Sequence, residues 1–243
     1  MDYDGILLID KPSGWTSHDV VAKIRSVLRT EISKKQLENS SSKLITNSYL
    51  PVPKLKVGHT GTLDPLATGL MIIVVGSYCK RASEFSKMDK SYELTMKLGE
   101  TSTTGDNEGK KQAVSSKQYA LSEIQASLKR LTGEIMQTPP IYSAIKVNGQ
   151  RAYKLARAGQ AVKLEPRKVT IYRLELVDYN YPFIKLLAKV SSGTYIRSLV
   201  EDIARQLGTG AYMSSLQRTQ VADYKLGQAI KIEQVSIDKI IKV

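Results

Sequence analysis

The sequence is poor in side chains that cross-link or bind metals, with one cysteine, Cys79, and two histidines, His18 and His59. A single thiol cannot form a disulfide framework, and these three side chains are too few for a four-ligand structural zinc site. We therefore expect a protein of a reducing compartment that holds no metal.

Long apolar runs are also missing. No stretch approaches the roughly 20 apolar residues of a membrane-spanning helix. The first residues, "MDYDGILLIDK", begin acidic and soon become strand-like, unlike a signal peptide. These features predict a cytoplasmic protein with no membrane association, although an organellar protein freed of its transit peptide would share them.

Acidic residues are under-represented. Lys and Arg number 36 against 23 Asp and Glu, which gives a net charge of +13 and an isoelectric point near 9.6. Such a surplus favours a polyanionic partner, most often a nucleic acid, although a basic surface can also serve solubility alone.

Two common catalytic signatures are absent as well. No stretch matches the phosphate-binding pattern G-x-x-x-x-G-K-[ST] or the dinucleotide fingerprint. There is no G-x-S-x-G nucleophile elbow either, and two histidines leave little scope for a serine or cysteine triad. We therefore expect no nucleotide, redox or metal cofactor.

With 243 residues, the chain can form one large domain, or a core domain with an insertion. Strand patterns ("GILLIDKP", "LMIIVVG", "SYELTMKLG") alternate irregularly with helix patterns, without regular βαβ repetition. This order predicts an α+β domain with a mixed, mostly antiparallel sheet flanked by helices and loops.

Further elements follow from local signals. A helix should begin at Thr16 or Ser17, and Ser122 with Gln125 suggests a capping box for another. "RKVTIYRLELVDY" and "FIKLLAKVSSG" read as an antiparallel pair, and "TYIRSLVEDIARQLG" as a helix stopped by Gly208.

Two segments differ from the rest in composition. Residues 30–55 are rich in Ser, Asn, Lys and Glu, which predicts a loop insertion. Residues 139–168 contain seven cations between Lys146 and Lys168 against Glu165 alone, with tyrosines interleaved. This second segment is predicted to bind RNA phosphates, and the alternative is a solvated helix face.

The stretch "GHTGTLDPLATGLM" carries a lone carboxylate, Asp64, between glycines and before Pro65. A residue that precedes proline is pushed into an extended conformation, so Asp64 should project from a rigid turn. This arrangement suits a positioned nucleophile, although an Asp-Pro pair can also simply close a turn.

Five stretches in order resemble the TruB family of tRNA pseudouridine synthases: "DKPSGWTS", "GHTGTLDPLATGLM", "DKSYEL", "TPPIYSAIKVNGQRAYKLARAG" and "SSGTYIRSLVEDI", followed by "SSLQRT". The resemblance covers nearly the whole chain. It implies a cofactor-free isomerase that flips out the uridine at tRNA position 55, in the T loop, and converts it to pseudouridine.

The resemblance also implies site residues. Asp64 matches the catalytic aspartate, acting as nucleophile or as stabiliser of an electron-poor sugar. Tyr92 matches the aromatic side chain that stacks on the flipped base and takes part in proton transfer. Arg197 matches the arginine that pairs with the aspartate and keeps it ionised.

Other matches concern substrate binding. His59 matches the histidine that contacts the RNA near the space that the flipped uridine vacates. Tyr195 matches a residue that lines the pocket, and Leu216 matches an apolar residue that contacts the base. Lys154 and Arg157 belong to the segment that grips the T arm. Local alternatives are an ordinary turn residue for His59 and core side chains for Tyr92 and Leu216.

The resemblance stops short in one respect, because the accessory C-terminal, PUA-type RNA-binding domain is not found in residues 1–243. We expect a monomer with tRNA as its partner. Two other functions remain open, namely a guide-RNA-dependent pseudouridine synthase, which relies on that domain, and a non-catalytic RNA-binding or RNA-folding protein.

Overall fold

The computed structural model describes residues 3–39, 54–147 and 149–242. The strands are β1 (Gly5–Lys11), β2 (Val57–His59), β3 (Thr68–Val75), β4 (Lys90–Leu98), β5 (Glu100–Ser102), β6 (Lys111–Ala113), β7 (Gly133–Gln137), β8 (Lys146–Val147), β9 (Gln150–Arg151), β10 (Arg167–Asn180), β11 (Phe183–Val190), β12 (Ala211–Val221) and β13 (Tyr224–Lys225). The helices are α1 (Ser17–Asn39), α2 (Ala82–Ser86), α3 (Leu121–Arg130), α4 (Ala152–Arg157) and α5 (Ile196–Leu207). These elements confirm the predicted α+β class.

The chain divides into two compact units, one formed by residues up to Met88 together with those from Arg218 onward, the other by Asp89–Gln217. In the first unit, β1 pairs antiparallel with β3 from Gly5 opposite Val75 to Lys11 opposite Gly69. Both strands are apolar and buried, as their sequences predict for central strands. The β3 strand also pairs with β2, so it forms the centre of this unit.

Helix α1 buries one stripe of apolar side chains, which includes Val20, Ile24 and Leu28. The prediction of a loop over residues 30–55 is wrong for its first ten residues, because α1 continues to Asn39. Ile32, four positions after Leu28, is 1% exposed and extends the buried stripe by one turn. Residues 40–53, the middle of that predicted loop, lie outside the described residues.

The second unit contains strands in the order β12, β4, β11, β10, β7. The β10 and β11 strands pair antiparallel from Ile171 opposite Val190 to Asn180 opposite Phe183, which confirms the predicted pair. Strand β4 alternates buried and half-buried residues along its length, as its sequence predicts. The polar stretch after it forms the β5–β6 hairpin.

Two helices pack in this unit. Helix α5 ends at Gly208, which adopts the left-handed conformation (φ 71°) that favours glycine at a helix end. Helix α3 begins one residue before Ser122, and the Glu123 carboxylate accepts a hydrogen bond from the Ala120 amide at 2.7 Å. The predicted capping box at Ser122 and Gln125 is therefore wrong, because Glu123, three residues after Ala120, caps the helix instead.

Candidate functional site

In the first unit, Asp64 lies in the irregular loop between β2 and β3, residues 60–67. The Ala67 amide donates to the Asp64 carbonyl oxygen at 3.0 Å and closes a turn. This turn agrees with the turn-closing role that an Asp-Pro pair can have, and the catalytic role of the Asp64 carboxylate stays a prediction.

The "DKPSGWTS" stretch anchors this loop. The Lys11 ammonium is buried and donates to three carbonyl oxygens, of Pro12 at 2.9 Å, Trp15 at 2.6 Å and Pro65 at 3.1 Å. The Gly14 amide donates to the same Pro65 oxygen at 2.8 Å, from a turn in which Gly14 has a φ of 83°. Two sequence motifs that are more than fifty residues apart therefore form one structural feature.

Two more side chains bind the same loop. Ser17 is hydrogen-bonded to the backbone of Leu63, and the buried Arg218 guanidinium donates to the Gly61 and Leu70 carbonyl oxygens. Neither contact was predicted. The sequence distance from Arg218 to Gly61 is 157 residues, and no local pattern marks a partner at that distance.

His59, at the end of β2, packs its ring edge against His18, with ring centroids 5.5 Å apart. Burial lowers the pKa of His59 below its usual value, and the positive charges of His18 and Arg218 lower it further. A neutral imidazole results at neutral pH. His59 is therefore suited to packing and hydrogen bonding rather than to attracting a phosphate.

In the second unit, Tyr92 lies on the buried side of β4 with Leu94 and Met96, and is 7% exposed. Leu216, on β12, is 8% exposed. Burial agrees with a core role for both side chains, and it also agrees with contact to a base in a site that excludes water. The structure therefore leaves their predicted contacts with a substrate as predictions.

Arg197 lies in the first turn of α5 and is buried. Its guanidinium donates to the carbonyl oxygens of Thr104 at 3.0 Å and Tyr142 at 2.9 Å, and lies 3.8 Å from a carboxylate oxygen of Asp106. Asp106 is itself 3% exposed and accepts hydrogen bonds from the Thr104 hydroxyl and the Glu108 amide. Asp106 was not predicted as a site residue from the sequence.

Hydrogen bonds hold the first turn of α5 against residues 137–142. The Tyr195 amide donates to the Gln137 side chain at 2.8 Å, and the Ser198 hydroxyl donates to the Thr138 carbonyl oxygen at 2.8 Å. Together with the Arg197 contact to Tyr142, these bonds fix the backbone around the predicted Tyr195 and Arg197.

Beside this turn lies a cavity of about 490 Å³, lined by loop 103–105, residues of the 136–142 segment and α5 from Ser198 to Arg205. Burial raises the pKa of the Asp202 carboxyl in its wall, and the ion pair with Arg205, 2.7 Å between nitrogen and oxygen, opposes that rise. The cavity therefore combines apolar side chains with a carboxylate and a guanidinium.

The 139–168 segment contains the β8–β9 hairpin and α4. All seven of its predicted cations are exposed: Lys146, Arg151, Lys154, Arg157, Lys163, Arg167 and Lys168. Arg157 stacks over the Tyr153 ring at 5.6 Å, and Glu165 forms an exposed ion pair with Lys163 at 3.7 Å. The segment therefore presents a positively charged surface that a polyanion can contact.

Of the predicted residues, the first unit contains Asp64 and His59, and the second contains Tyr92, Tyr195, Arg197, Leu216, Lys154 and Arg157. Within the described ranges, no cluster of three or more His, Cys, Asp or Glu side chains has the arrangement of a metal site. In the same part of the chain, no helix has the length and apolar character that crossing a membrane demands.

Comparison with known proteins identifies relatives along almost the whole chain. The model of the TruB family pseudouridylate synthase N-terminal domain matches residues 48–196, and that of the tRNA pseudouridylate synthase B C-terminal domain matches residues 197–240. The tRNA pseudouridine synthase B of Pseudomonas fluorescens is 42% identical over 231 residues, which cover 95% of this chain and 68% of that protein. The Pseudomonas aeruginosa protein of the same name is 41% identical, over 94% of this chain and 67% of its own length.

The fold has a solved counterpart in the crystal structure of a Cbf5-Nop10-Gar1 complex, with a TM-score of 0.67 and 27% identity. The match covers 96% of this chain and 54% of that chain, so this chain spans about half the length of that structural neighbour. The family predicted from the five motifs is confirmed by these comparisons. The chain belongs to the TruB family of pseudouridylate synthases.

Proposed function

We propose that this protein is a tRNA pseudouridine synthase, an isomerase that converts the T-loop uridine at tRNA position 55 to pseudouridine. The observation that carries the proposal is 42% identity over 95% of the chain to a protein named tRNA pseudouridine synthase B. The anchored loop around Asp64 supports it, because that loop presents a carboxylate from a rigid backbone.

The reaction rearranges one nucleotide without adding or removing atoms. The bond from uracil N1 to ribose C1′ breaks, the uracil turns, and a bond from C5 to C1′ forms. The proton on C5 leaves and N1 gains one. Asp64 supplies the negative charge that the electron-poor sugar requires, either by bonding to it as a nucleophile or by stabilising it.

The other site residues have separate tasks in this proposal. Tyr92 stacks on the extruded uracil and takes part in proton transfer, while Tyr195 and Leu216 contact the base. Arg197 keeps Asp64 ionised and is itself oriented by Thr104, Tyr142 and Asp106. The neutral His59 contacts the RNA near the position that the uridine vacates.

The direct test uses purified protein and an unmodified tRNA transcript, with no other protein or RNA added. We expect pseudouridine at position 55 by chemical mapping, and none in a transcript with cytidine there. A guide-dependent enzyme would be inactive in this mixture. That alternative has less support, since a protein named tRNA pseudouridine synthase B is 42% identical over 95% of this chain.

A T-arm minihelix should be nearly as good a substrate as full tRNA, because the proposed contacts lie on the T arm. A loss greater than about a hundredfold, or ~2.7 kcal/mol of transition-state stabilisation, would argue for contacts elsewhere in the tRNA.

Lys154 and Arg157 are proposed to bind phosphates of the T arm. Replacing both with Ala should weaken binding and reduce the salt dependence of the affinity by roughly one to two phosphate contacts. The matched control replaces Lys129 and Arg130, two exposed cations of α3 outside the 139–168 segment, and should leave that slope unchanged. Equal slopes in both double variants would assign Lys154 and Arg157 to a solvated surface.

Two remaining points stay predictions. A cytoplasmic location can be tested by imaging a tagged chain, and the monomeric state by light scattering with and without tRNA. The predicted lack of an accessory PUA-type domain is likewise not used in the proposal.

A further inference from the structure

The loop of residues 60–67 is irregular, and side chains from distant parts of the first unit hold it in place. An irregular loop has no regular backbone ladder to fix its conformation, so its precision depends on such anchors. Two of the anchors, Ser17 and Arg218, are buried polar side chains without an assigned role.

Ser17 makes an unusual pair of contacts. Its hydroxyl donates to the carbonyl oxygen of Leu63 at 2.9 Å and accepts from the amide of the same residue at 2.9 Å. Both polar backbone groups of the residue that precedes Asp64 are thereby fixed. Because Ser17 and Leu63 are 2% and 3% exposed, water has little access to replace the hydroxyl.

The position of Ser17 gives these bonds a rigid base. It is the first residue of α1, whose Val20 and Ile24 side chains are completely buried. A hydroxyl on such a helix has little freedom to follow a moving loop. The contact therefore fixes the loop relative to the core of the first unit.

Arg218 binds the start of the same loop and the strand that follows it. Its Nε donates to the carbonyl oxygen of Leu70, in β3, at 2.7 Å, and its Nη2 donates to the Gly61 carbonyl oxygen at 3.0 Å. The planar guanidinium sets the direction of both donors, so one side chain fixes the position of Gly61 relative to β3. Arg218 is 2% exposed, like Ser17.

We propose that Ser17 and Arg218 are positioning residues, which hold the 60–67 loop so that Asp64 is presented in the geometry of the isomerisation. This inference rests on the proposed function, in which Asp64 reacts with the ribose. Neither side chain acts on substrate itself. Their loss should slow the chemical step and leave RNA binding intact, since a displacement of about 1 Å costs roughly a hundredfold in rate.

The main test is Ser17→Ala, which removes the hydroxyl and little volume. We expect the single-turnover rate at saturating tRNA to fall at least about tenfold while the tRNA dissociation constant changes less than about twofold. Ser17→Thr restores a hydroxyl and should recover part of the rate. Ser17→Ala should also speed hydrogen exchange at the Leu63 amide.

The matched control is Ser127→Ala in the second unit. Ser127 is completely buried, and its hydroxyl donates to the Ile203 carbonyl oxygen at 3.4 Å. The control loses a comparable hydroxyl without touching the loop, so its rate per folded molecule should equal that of the wild type. Equal rates in Ser17→Ala and Ser127→Ala, or a loss of affinity in place of rate, would overturn the inference.

Arg218→Lys keeps the charge but cannot donate in two fixed directions, and should lower the same rate constant. If this variant does not fold, the Ser17 series decides. Hydrogen exchange separates the two proposals, because it needs no substrate. A wild-type protein that forms no pseudouridine would refute the proposed function and the catalytic consequence, whereas unchanged exchange at Leu63 in Ser17→Ala would refute the positioning contact itself.

Discussion

In each of the two units, a lysine ammonium donates to three backbone carbonyl oxygens beside a loop that contains a carboxylate, Asp64 in one and Asp106 in the other. Beside the 60–67 loop, the Lys11 ammonium donates to the carbonyl oxygens of Pro12, Trp15 and Pro65, the last of which lies in that loop. In the loop between β5 and β6, the Lys111 ammonium also donates to three, those of Asp106, Asn107 and Gly109. The two lysines differ in the sequence separation from their carbonyl partners. Pro65 lies 54 residues from Lys11, whereas all the partners of Lys111 lie within five residues of it.

Burial differs as well. Lys11 is completely buried, whereas Lys111 is exposed and its ammonium lies 4.7 Å from the centre of the Tyr212 ring. A buried ammonium has no water to replace a lost partner, so its three carbonyl contacts determine the local structure. The same contacts at an exposed lysine compete with water. They join residues that are close in sequence, in a loop conformation that the local sequence already favours.

The two carboxylates show what this difference means for function. Asp106 is enclosed by the Thr104 hydroxyl, the Glu108 amide and Arg197, all within its own unit. Asp64 is half-buried, and its loop is fixed through the backbone of its neighbours Leu63 and Pro65. The contacts of Asp106 are therefore made at its carboxylate, while Lys11 and Ser17 bind the backbone of the neighbours of Asp64.

The largest expected effect separates these two carboxylates. Asp64→Asn is nearly isosteric but has no negative charge, so pseudouridine formation should fall by more than about a thousandfold. Asp106→Asn should cost only about 10- to 100-fold, because it disturbs the orientation of Arg197 without removing the reacting group. Both are measured as single-turnover rates on protein whose melting curve shows it to be folded.

Binding provides the control. Phosphate contacts and base stacking supply most of the affinity for RNA, so both variants should bind tRNA as the wild type does. Equal rate losses in the two variants would remove the distinction between a reacting and an orienting carboxylate. Activity of Asp64→Asn near the wild-type level would return its loop to a structural turn.

The next effect compares the two lysines. Lys11→Met should lower the free energy of unfolding by about 3 kcal/mol, since three carbonyl oxygens lose a buried, charged donor. Lys111→Met should cost about 1 kcal/mol or less, because water can reach its carbonyl partners. Urea denaturation of both variants measures the difference, and similar losses would show that burial does not distinguish the two sites.

The contrast also explains what could be predicted from the sequence. The buried strand β3, the β10–β11 pair and helix α5 follow from the spacing of apolar residues, which local sequence records directly. Asp64 could be proposed as a site residue because its motif lies in one stretch, and its role stays a prediction. The contacts of Arg218 and Asp106 could not be predicted because they involve partners far along the chain, such as Gly61, 157 residues from Arg218.

The predicted end of helix α1 was wrong for a related reason. The composition of residues 30–39 is polar and indicated a loop, yet a single buried side chain, Ile32, continues the apolar stripe of α1. The Glu31 carboxylate also accepts a hydrogen bond from the Ile237 amide at 2.8 Å, a contact with the distant C-terminal residues. The average composition of the segment reflects neither the single buried side chain of Ile32 nor the distant contact of Glu31, so it did not predict the helix.

The smallest expected effect concerns a third carboxylate, Asp202, which has 17% of its side chain exposed and forms an ion pair with Arg205. Burial raises its pKa in the folded protein despite that arginine. As the pH rises above about 4, the unfolded chain loses this proton before the folded protein does. The stabilisation that is fully present at lower pH is therefore lost as the pH rises through the pKa of the folded protein.

Asp202→Asn should remove this loss and gain about 0.5 kcal/mol or less relative to the wild type between about pH 4 and 7. Arg205→Ala should enlarge the loss, because the main contribution that opposes burial is then removed. Urea denaturation at several pH values measures both differences, and a difference between Asp202→Asn and wild type that does not change with pH would show that the Asp202 carboxyl titrates alike in the folded and unfolded chain.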